Sequence, residues 1–280
     1  MSVTIPRACV MGHPVAHSRS PMLHGYWLKS LGVTGAYDLR DVTAPDFPAF
    51  LRDLRQTGYV GGNITVPHKE TAFRMVDRHD PAAEAIGAVN TVWYENDRLV
   101  GGNTDAYGFL AHLDASVPRW SETEFTAIIL GAGGAARAIV HGLTSRGGAV
   151  RLVNRTVGRA EELAALNPKQ ASAHPVTELP RLLASADLLV NASSLGMAGK
   201  APLAIDIAPL KPSAIVYDIV YVPLATDLLR AARAGGHRTV DGLGMLLHQA
   251  VPGFARWFGV TPTVTPELRA LIEADLKAKT

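Results

Sequence analysis

Two ionisable residues near the start of the chain stand in settings suited to proton transfer. Lys69 closes the segment Asn63-Ile64-Thr65-Val66-Pro67-His68-Lys69. A strand there puts Asn63 and Thr65 on one face, and Pro67 turns the chain so that Lys69 falls in the first turn of a helix. An ammonium at that end opposes the helix dipole. Such a lysine either points to solvent, its usual fate, or is held by polar neighbours as an acid or base. Asp105 ends Asn103-Thr104-Asp105. It either caps the helix that follows or, beside Lys69, holds the ammonium in its charged form. Ser18 and Ser20 lie in His17-Ser18-Arg19-Ser20-Pro21. Ser20 reads as an N-cap with Pro21 at the first helical position, and a helix start with two hydroxyls is also a carboxylate cradle. With Asn90-Thr91, these residues describe a pocket of amides and hydroxyls holding one lysine and one aspartate. A small polyhydroxylated acid suits it.

A second constellation begins at Gly131-Ala132-Gly133-Gly134-Ala135-Ala136, between an apolar strand and a helix. This is a GxGxxA turn in the setting that a dinucleotide fingerprint requires. Gly131 permits the turn, Gly133 admits a pyrophosphate close to the backbone, and Ala136 lets the helix pack on the strand. The next strand ends Val153-Asn154-Arg155-Thr156, without the acid that binds a ribose 2′-hydroxyl. Arg155 stands 24 residues after Gly131, and Arg159 four further on. Two solvated arginines would be ordinary on their own. After a glycine turn, two planar guanidinium groups match a 2′-phosphate, which points to NADP rather than NAD. Thr156 caps the helix in this reading and offers its hydroxyl as well.

Short apolar runs alternate with helical patterns and supply the frame for these groups. Strands are expected at Ala8–Met11, Ala36–Leu39, Val60–Val66, Phe125–Leu130, Val150–Asn154, Leu188–Asn191 and Ile215–Ile219, and a hairpin turns at Asn96-Asp97 between Asn90–Glu95 and Arg98–Gly102. Helices are expected at Pro21–Leu31, Asp46–Gln56, from Pro67, at Ala106–Leu113, from the glycine turn to about Arg146, from near Gly244 to Phe258, and at Pro266–Lys279. Strands separated by helices indicate a parallel sheet. The polar, proline-containing stretch Ser116–Glu124 marks a change of domain. Near the end, Leu243, Leu246, Leu247, Ala250 and Phe254 form an apolar stripe, and Met245 and Gln249 share another face.

Composition narrows the classes. Across 280 residues, 48% are hydrophobic and 19% charged, ordinary values for a folded chain of about two domains. A net charge of +2 gives no electrostatic case for nucleic acid or an anionic membrane. No apolar run is long enough to span a bilayer, and the first residues lack the pattern of a secretory signal. Cys9 is the single cysteine, which suits a reducing cytoplasm. Ten histidines form no HExxH or Cys-His cluster, so no metal is expected.

The motifs together resemble the shikimate dehydrogenase family. They are HSRSP (17–21), GGNITVPHK (61–69), GAVNT (87–91), GGNTD (101–105), GAGGAARA (131–138), VNRT (153–156), NASSLGM (191–197), DIVY (218–221) and GLGMLLHQA (242–250). The resemblance implies an α/β fold with an N-terminal α/β substrate domain, a Rossmann-type NADP-binding domain, and C-terminal helices that return to the first domain. The boundaries expected are 1–108 with 243–280, and 109–242. It implies reversible reduction of 3-dehydroshikimate to shikimate with NADPH, toward chorismate and the aromatic amino acids. Lys69 and Asp105 are then the catalytic pair. Ser18 and Ser20 bind the carboxylate, Thr65, Asn90 and Gln249 the ring hydroxyls, and Tyr221 approaches the substrate. Gly131, Ala132, Gly133, Gly134 and Ala135 line the diphosphate. Asn154, Arg155, Thr156 and Arg159 hold the adenosine end, and Met197, Gly242 and Met245 border the nicotinamide. Arg19, Gly25 and Ser193 depart from the family's usual residues without removing a catalytic group.

A quinate or dual quinate/shikimate dehydrogenase of the same family is the nearest alternative, and its NAD-using members carry an acid near Asn154-Arg155. A non-catalytic NADP-responsive protein would not need Lys69 with Asp105. A methyltransferase would not need Arg155 with Arg159. A monomer or homodimer is expected.

Overall fold

The structure, a computed structural model, describes residues 5–278. The chain begins β1 (Arg7–Gly12), α1 (Ser20–Ser30), β2 (Ala36–Asp41), α2 (Phe47–Arg52), β3 (Gly61–Ile64), α3 (Lys69–Met75), β4 (Arg78–His79), α4 (Pro81–Ile86), β5 (Thr91–Glu95) and β6 (Arg98–Gly102). These strands form one six-stranded sheet in the order β2-β1-β3-β5-β6-β4. β2, β1 and β3 run parallel, whereas β5 pairs antiparallel with β3 and with β6. The β5–β6 hairpin turns at Asn96 and Asp97, with φ of 48° and 65°. Both residue types tolerate the left-handed region that a two-residue hairpin turn demands. Along β1, Cys9 and Met11 enter one apolar cluster and Ala8 and Val10 another, so both faces of the sheet are buried.

The chain continues through α5 (Asp105–Ser116), β7 (Thr126–Leu130), α6 (Gly134–Ser145), β8 (Ala149–Val153), α7 (Val157–Ala164), β9 (Ala171–His174), α8 (Leu179–Leu183), β10 (Leu188–Asn191), β11 (Ile215–Asp218), α9 (Asp227–Ala234), β12 (Arg238–Val240), α10 (Gly242–Phe258) and α11 (Pro266–Ala278). Lys279, the end expected for the last helix, lies outside the described residues. The second sheet is all parallel, in the order β12-β11-β10-β7-β8-β9. Counted from β7, that is the 3-2-1-4-5-6 order of a Rossmann sheet. Ile129 and Val190 face α5, α6 and α7, while Ile128 and Leu189 face α8 and α9. The near-continuous apolar runs of β7 and β10 follow from this double burial.

Two compact units result. One ends at Thr104 and resumes at Leu247, and the other runs from Asp105 to Leu246. These points lie a few residues from 108/109 and 242/243, because α5 contributes Phe109 and Leu113 to the second core. The stretch Ser116–Glu124 is not a change of domain. Val117 and Phe125 are buried in that same core, and Trp120 stacks edge-on against Phe125 at 4.9 Å. The C-terminal helices complete the first unit. Trp257 Nε1 donates to the Val92 carbonyl at 2.9 Å, and Trp27 Nε1 to that of Thr263 at 2.9 Å. Arg19 forms an ion pair with Asp275 of α11 at 3.0 Å, so its place between the two serines is structural. Gly25 is an exposed position of α1 where a Cβ would meet nothing, so a larger residue is not needed there.

Candidate active site

In the first unit, the amide of Asn90 is the hub. Its backbone N–H donates to Gly102 O, and its carbonyl accepts from Ile64 N–H, so β3 and β6 fix its position from both sides. The side chain is buried. Oδ1 accepts from Thr104 N–H at 2.9 Å and from the Thr91 hydroxyl at 2.9 Å. Nδ2 donates to Thr104 Oγ1 at 3.1 Å and to Gln249 Oε1 at 3.4 Å. Gln249 is therefore half-buried and bonded, not a solvent-facing residue of α10.

Thr65 lies one residue past β3, which ends at Ile64 and is shorter than expected. Its N–H donates to Met11 O at 2.9 Å. A Cβ on Gly12 would strike its methyl group, so a glycine is required for this approach. Lys69 is the first residue of α3, half-buried, and its carbonyl accepts from Val89 N–H at 3.0 Å. Asp105 follows Thr104 directly, opens α5 and is buried. Ser18 and Ser20 are hydrogen-bonded at 3.2 Å. Ser20 is not the N-cap, however. Arg19 holds that position without a side-chain cap, and Ser20 N–H donates instead to Ser18 Oγ at 3.3 Å. With Pro21 next, Ser20 becomes the first helical residue and its hydroxyl is released from capping.

In the second unit, Gly131 has φ of 109°, and a Cβ there would press on the backbone of Ala192 and Ser193. Gly133 is the N-cap of α6, and both it and Gly134 have open space where a Cβ would stand. Ala136 is fully buried under the helix. The start of α6 thus offers exposed N–H groups behind a turn whose first residue, Gly131, must be glycine. Beside it is a cavity of about 600 Å³ whose lining includes Gly131, Asn154, Arg155, Ser193, Leu203 and Ile205. Arg159 is exposed, one turn along α7, and is not part of that lining. Thr156 is the N-cap of α7 but its side chain makes no cap bond, and Asn154 Nδ2 donates to its carbonyl at 2.8 Å.

Residues that local sequence did not reveal shape this cavity. Asn191, fully buried, accepts from Ser193 N–H and Oγ and donates to Asp218 Oδ1 at 2.9 Å. Asp218 also accepts from the Thr226 hydroxyl at 2.7 Å. Burial raises its pKa, and the bonds to Thr226, Val220 and Asn191 oppose the rise. This network braces the loop after β10 that carries Ser193 and Met197. The two serines of NASSLGM were the visible signal, but their partner Asp218 is remote in sequence. Met197 is exposed, Tyr221 half-buried just past β11, and Gly242 buried where a Cβ would collide with Ile219 O. Met245 packs into the core of this unit, contributing a wall rather than an open group. Among the described residues no cluster of His, Cys, Asp and Glu could hold a metal, and no helix is long and apolar enough to cross a membrane.

A Rossmann sheet with a glycine turn at its β7/β10 switch point, and an arginine where an acid would bind a ribose, define a pyridine-dinucleotide oxidoreductase. Comparisons with known proteins agree. The family described as "Shikimate dehydrogenase substrate binding domain" matches residues 10–92, and "Shikimate / quinate 5-dehydrogenase" matches residues 114–198. A shikimate dehydrogenase (NADP(+)) of Chelativorans sp. (strain BNC1) is 55% identical over 279 residues, covering 99% of each chain. The crystal structure of shikimate 5-dehydrogenase from Thermus thermophilus with NADP(H) and shikimate superposes with a TM-score of 0.86 at 37% identity, covering 97% of this chain and 100% of that one. Quinate dehydrogenase from Corynebacterium glutamicum in complex with NAD gives 0.89 at 29% identity, covering 96% and 99%. The chain belongs to the shikimate dehydrogenase family.

Proposed function

We propose that the protein catalyses the reversible, NADPH-dependent reduction of 3-dehydroshikimate to shikimate, a step toward chorismate and the aromatic amino acids. The observation that carries this reading is the hydrogen-bonded set Asn90, Thr104 and Gln249 in one unit, on a chain whose other unit offers Arg155 beside a glycine turn. Fixed amides and hydroxyls recognise ring hydroxyls because an unmatched buried partner would be left unbonded. Asn90, Gln249 and Thr65 take the ring hydroxyls, Ser18 and Ser20 the carboxylate, and Tyr221 a further edge of the substrate.

The glycine turn and the free N–H groups of α6 fit a diphosphate, with Gly131, Ala132, Gly133, Gly134 and Ala135 against it. Asn154, Arg155, Thr156 and Arg159 take the adenosine 2′-phosphate, Arg155 from the cavity wall and Arg159 from the solvent side. Met197, Gly242 and Met245 bound the nicotinamide end. When bound, NADPH supplies the hydride. Lys69 donates a hydrogen bond and then a proton to the carbonyl oxygen as it becomes an alkoxide, and Asp105 orients the ammonium. The unit that ends at Thr104 and resumes at Leu247 is assigned to the substrate, and Asp105–Leu246 to the cofactor. A monomer or homodimer in the cytoplasm is the proposed state.

Lys69→Ala tests the assignment. Loss of a general acid lowers kcat by about 10²–10⁴-fold. The KM for shikimate is expected to change by no more than about threefold, because ring recognition rests on other residues. An unchanged kcat would remove Lys69 from the mechanism.

A further inference from the structure

Tyr37 lies in β2, buried, with its ring stacked on His24 at 4.0 Å and an interplanar angle of 17°. A phenylalanine would serve that packing equally well. The hydroxyl is therefore the informative part, and it donates to Asn63 Oδ1 at 2.7 Å. Asn63 Nδ2 in turn donates to the Asn90 carbonyl at 3.3 Å and to Thr91 Oγ1 at 3.1 Å. A carbonyl can only accept, so the orientation of the Asn63 amide is fixed.

The Asn90 amide is fixed separately, by the Thr104 N–H, which can only donate to Asn90 Oδ1. Thr91 has one hydroxyl proton and, having accepted from Asn63, gives it to Asn90 Oδ1 at 2.9 Å. The Thr104 N–H aims at the same oxygen. Asn90 Nδ2 must then face Thr104 Oγ1 and Gln249 Oε1, and Gln249 Nε2 is turned away from Asn90.

We propose that Tyr37 is a positioning residue for substrate recognition: its hydroxyl holds Asn63 and, through Thr91, steadies the Asn90 amide, whose direction the Thr104 N–H fixes, and with it Gln249. The inference rests on the site reading given above. The role assigned to Tyr37 runs through Asn63 and Thr91. It acts on the affinity for the hydroxylated ring, not on the hydride step or on the dinucleotide.

The test is steady-state kinetics of Tyr37→Phe in the full-length enzyme, with shikimate and NADP varied separately. Loss of one bond to the half-buried Asn63 predicts a rise of about tenfold in the KM for shikimate, with kcat and the KM for NADP each within about threefold of wild type. In an Asn63→Ala background, adding Tyr37→Phe should change the KM by less than about twofold, because the effect runs through Asn63. Thr91→Val, which cuts the same line one step later, should reproduce the selective rise even if Tyr37→Phe folds poorly. An unchanged KM in Tyr37→Phe or Thr91→Val, an equal loss in NADP affinity, or full additivity with Asn63→Ala would overturn the proposal. Gln249→Ala separates the two levels. A raised KM there with none in Tyr37→Phe refutes the role of Tyr37 alone, whereas an unchanged KM in Gln249→Ala refutes the site reading beneath it.

Discussion

His24 sets a pH dependence of stability that can be calculated. Its ring is fully buried between Tyr37 and Phe254, and neither ring nitrogen makes a hydrogen bond. Burial pushes its pKa down to about 3, with the nearby Asn63 side chain opposing the shift. In the unfolded chain the ordinary value of about 6.5 applies. The native state therefore resists a proton that the unfolded state accepts. The stability this represents is fully present above about 6.5 and is lost as the pH falls toward 3. At pH 5 the unfolded state gains about 2 kcal/mol from protonation of this one residue, and any folded pKa below about 4 gives the same figure.

His24→Phe keeps the ring stack and removes the titration. Urea unfolding at pH 7.5 and pH 5 measures the difference. Three of the four tryptophans, Trp27, Trp93 and Trp257, belong to the unit that holds His24, so their fluorescence follows its unfolding. Every other titrating group is common to the two proteins, His68 and His248 included, whose pKa values burial also lowers. The wild type should lose about 2 kcal/mol more than the variant between the two pH values. Identical losses would place a proton on the buried ring and leave His24 without a part in the acid sensitivity.

Two further outcomes concern the proposed site. Arg155→Ala removes a charge-assisted contact to the 2′-phosphate and should raise the KM for NADP by about 10–100-fold while leaving that for NAD within about threefold; equal changes with both coenzymes would remove Arg155 from 2′-phosphate recognition. Asp105→Asn keeps the shape of the side chain and removes its charge, so kcat should fall by about tenfold or more, with an unchanged KM for shikimate; a KM effect alone would make Asp105 a binding group.

Much of this was legible in the sequence, for local reasons. The glycine turn, Arg155 and the Asn96-Asp97 hairpin each declare themselves within a few residues, because backbone conformation limits which residues can stand there. The alternation of apolar runs with helical patterns pointed to the parallel Rossmann sheet. The departures came where tertiary contacts decided. Ser20 looked like a cap until Ser18 took its N–H. The polar stretch from Ser116 looked like a domain boundary, although its apolar residues Val117 and Trp120 pack inside the second unit. The helix expected at Asp46–Gln56 is limited to Phe47–Arg52, as the chain tightens through Asp53–Thr57 toward Gly58 at φ of 87°. β9, β12 and the two-residue β4 are short strands whose pairing partners, not their own sequences, define them. The line from Tyr37 through Asn63 and Thr91 to Asn90 joins residues far apart in the chain, and only the folded sheet reveals it.

Whether the chain is an NADP-linked shikimate dehydrogenase is decided by the rate at which reduced nicotinamide forms when the purified protein is given shikimate or quinate with NADP or NAD, in all four combinations. Efficient reduction of NADP with shikimate is expected, at a kcat/KM at least about tenfold above that with NAD. A preference for quinate with NAD would contradict this, and would undo the roles given to Arg155 and to the Asn90–Gln249 pair together.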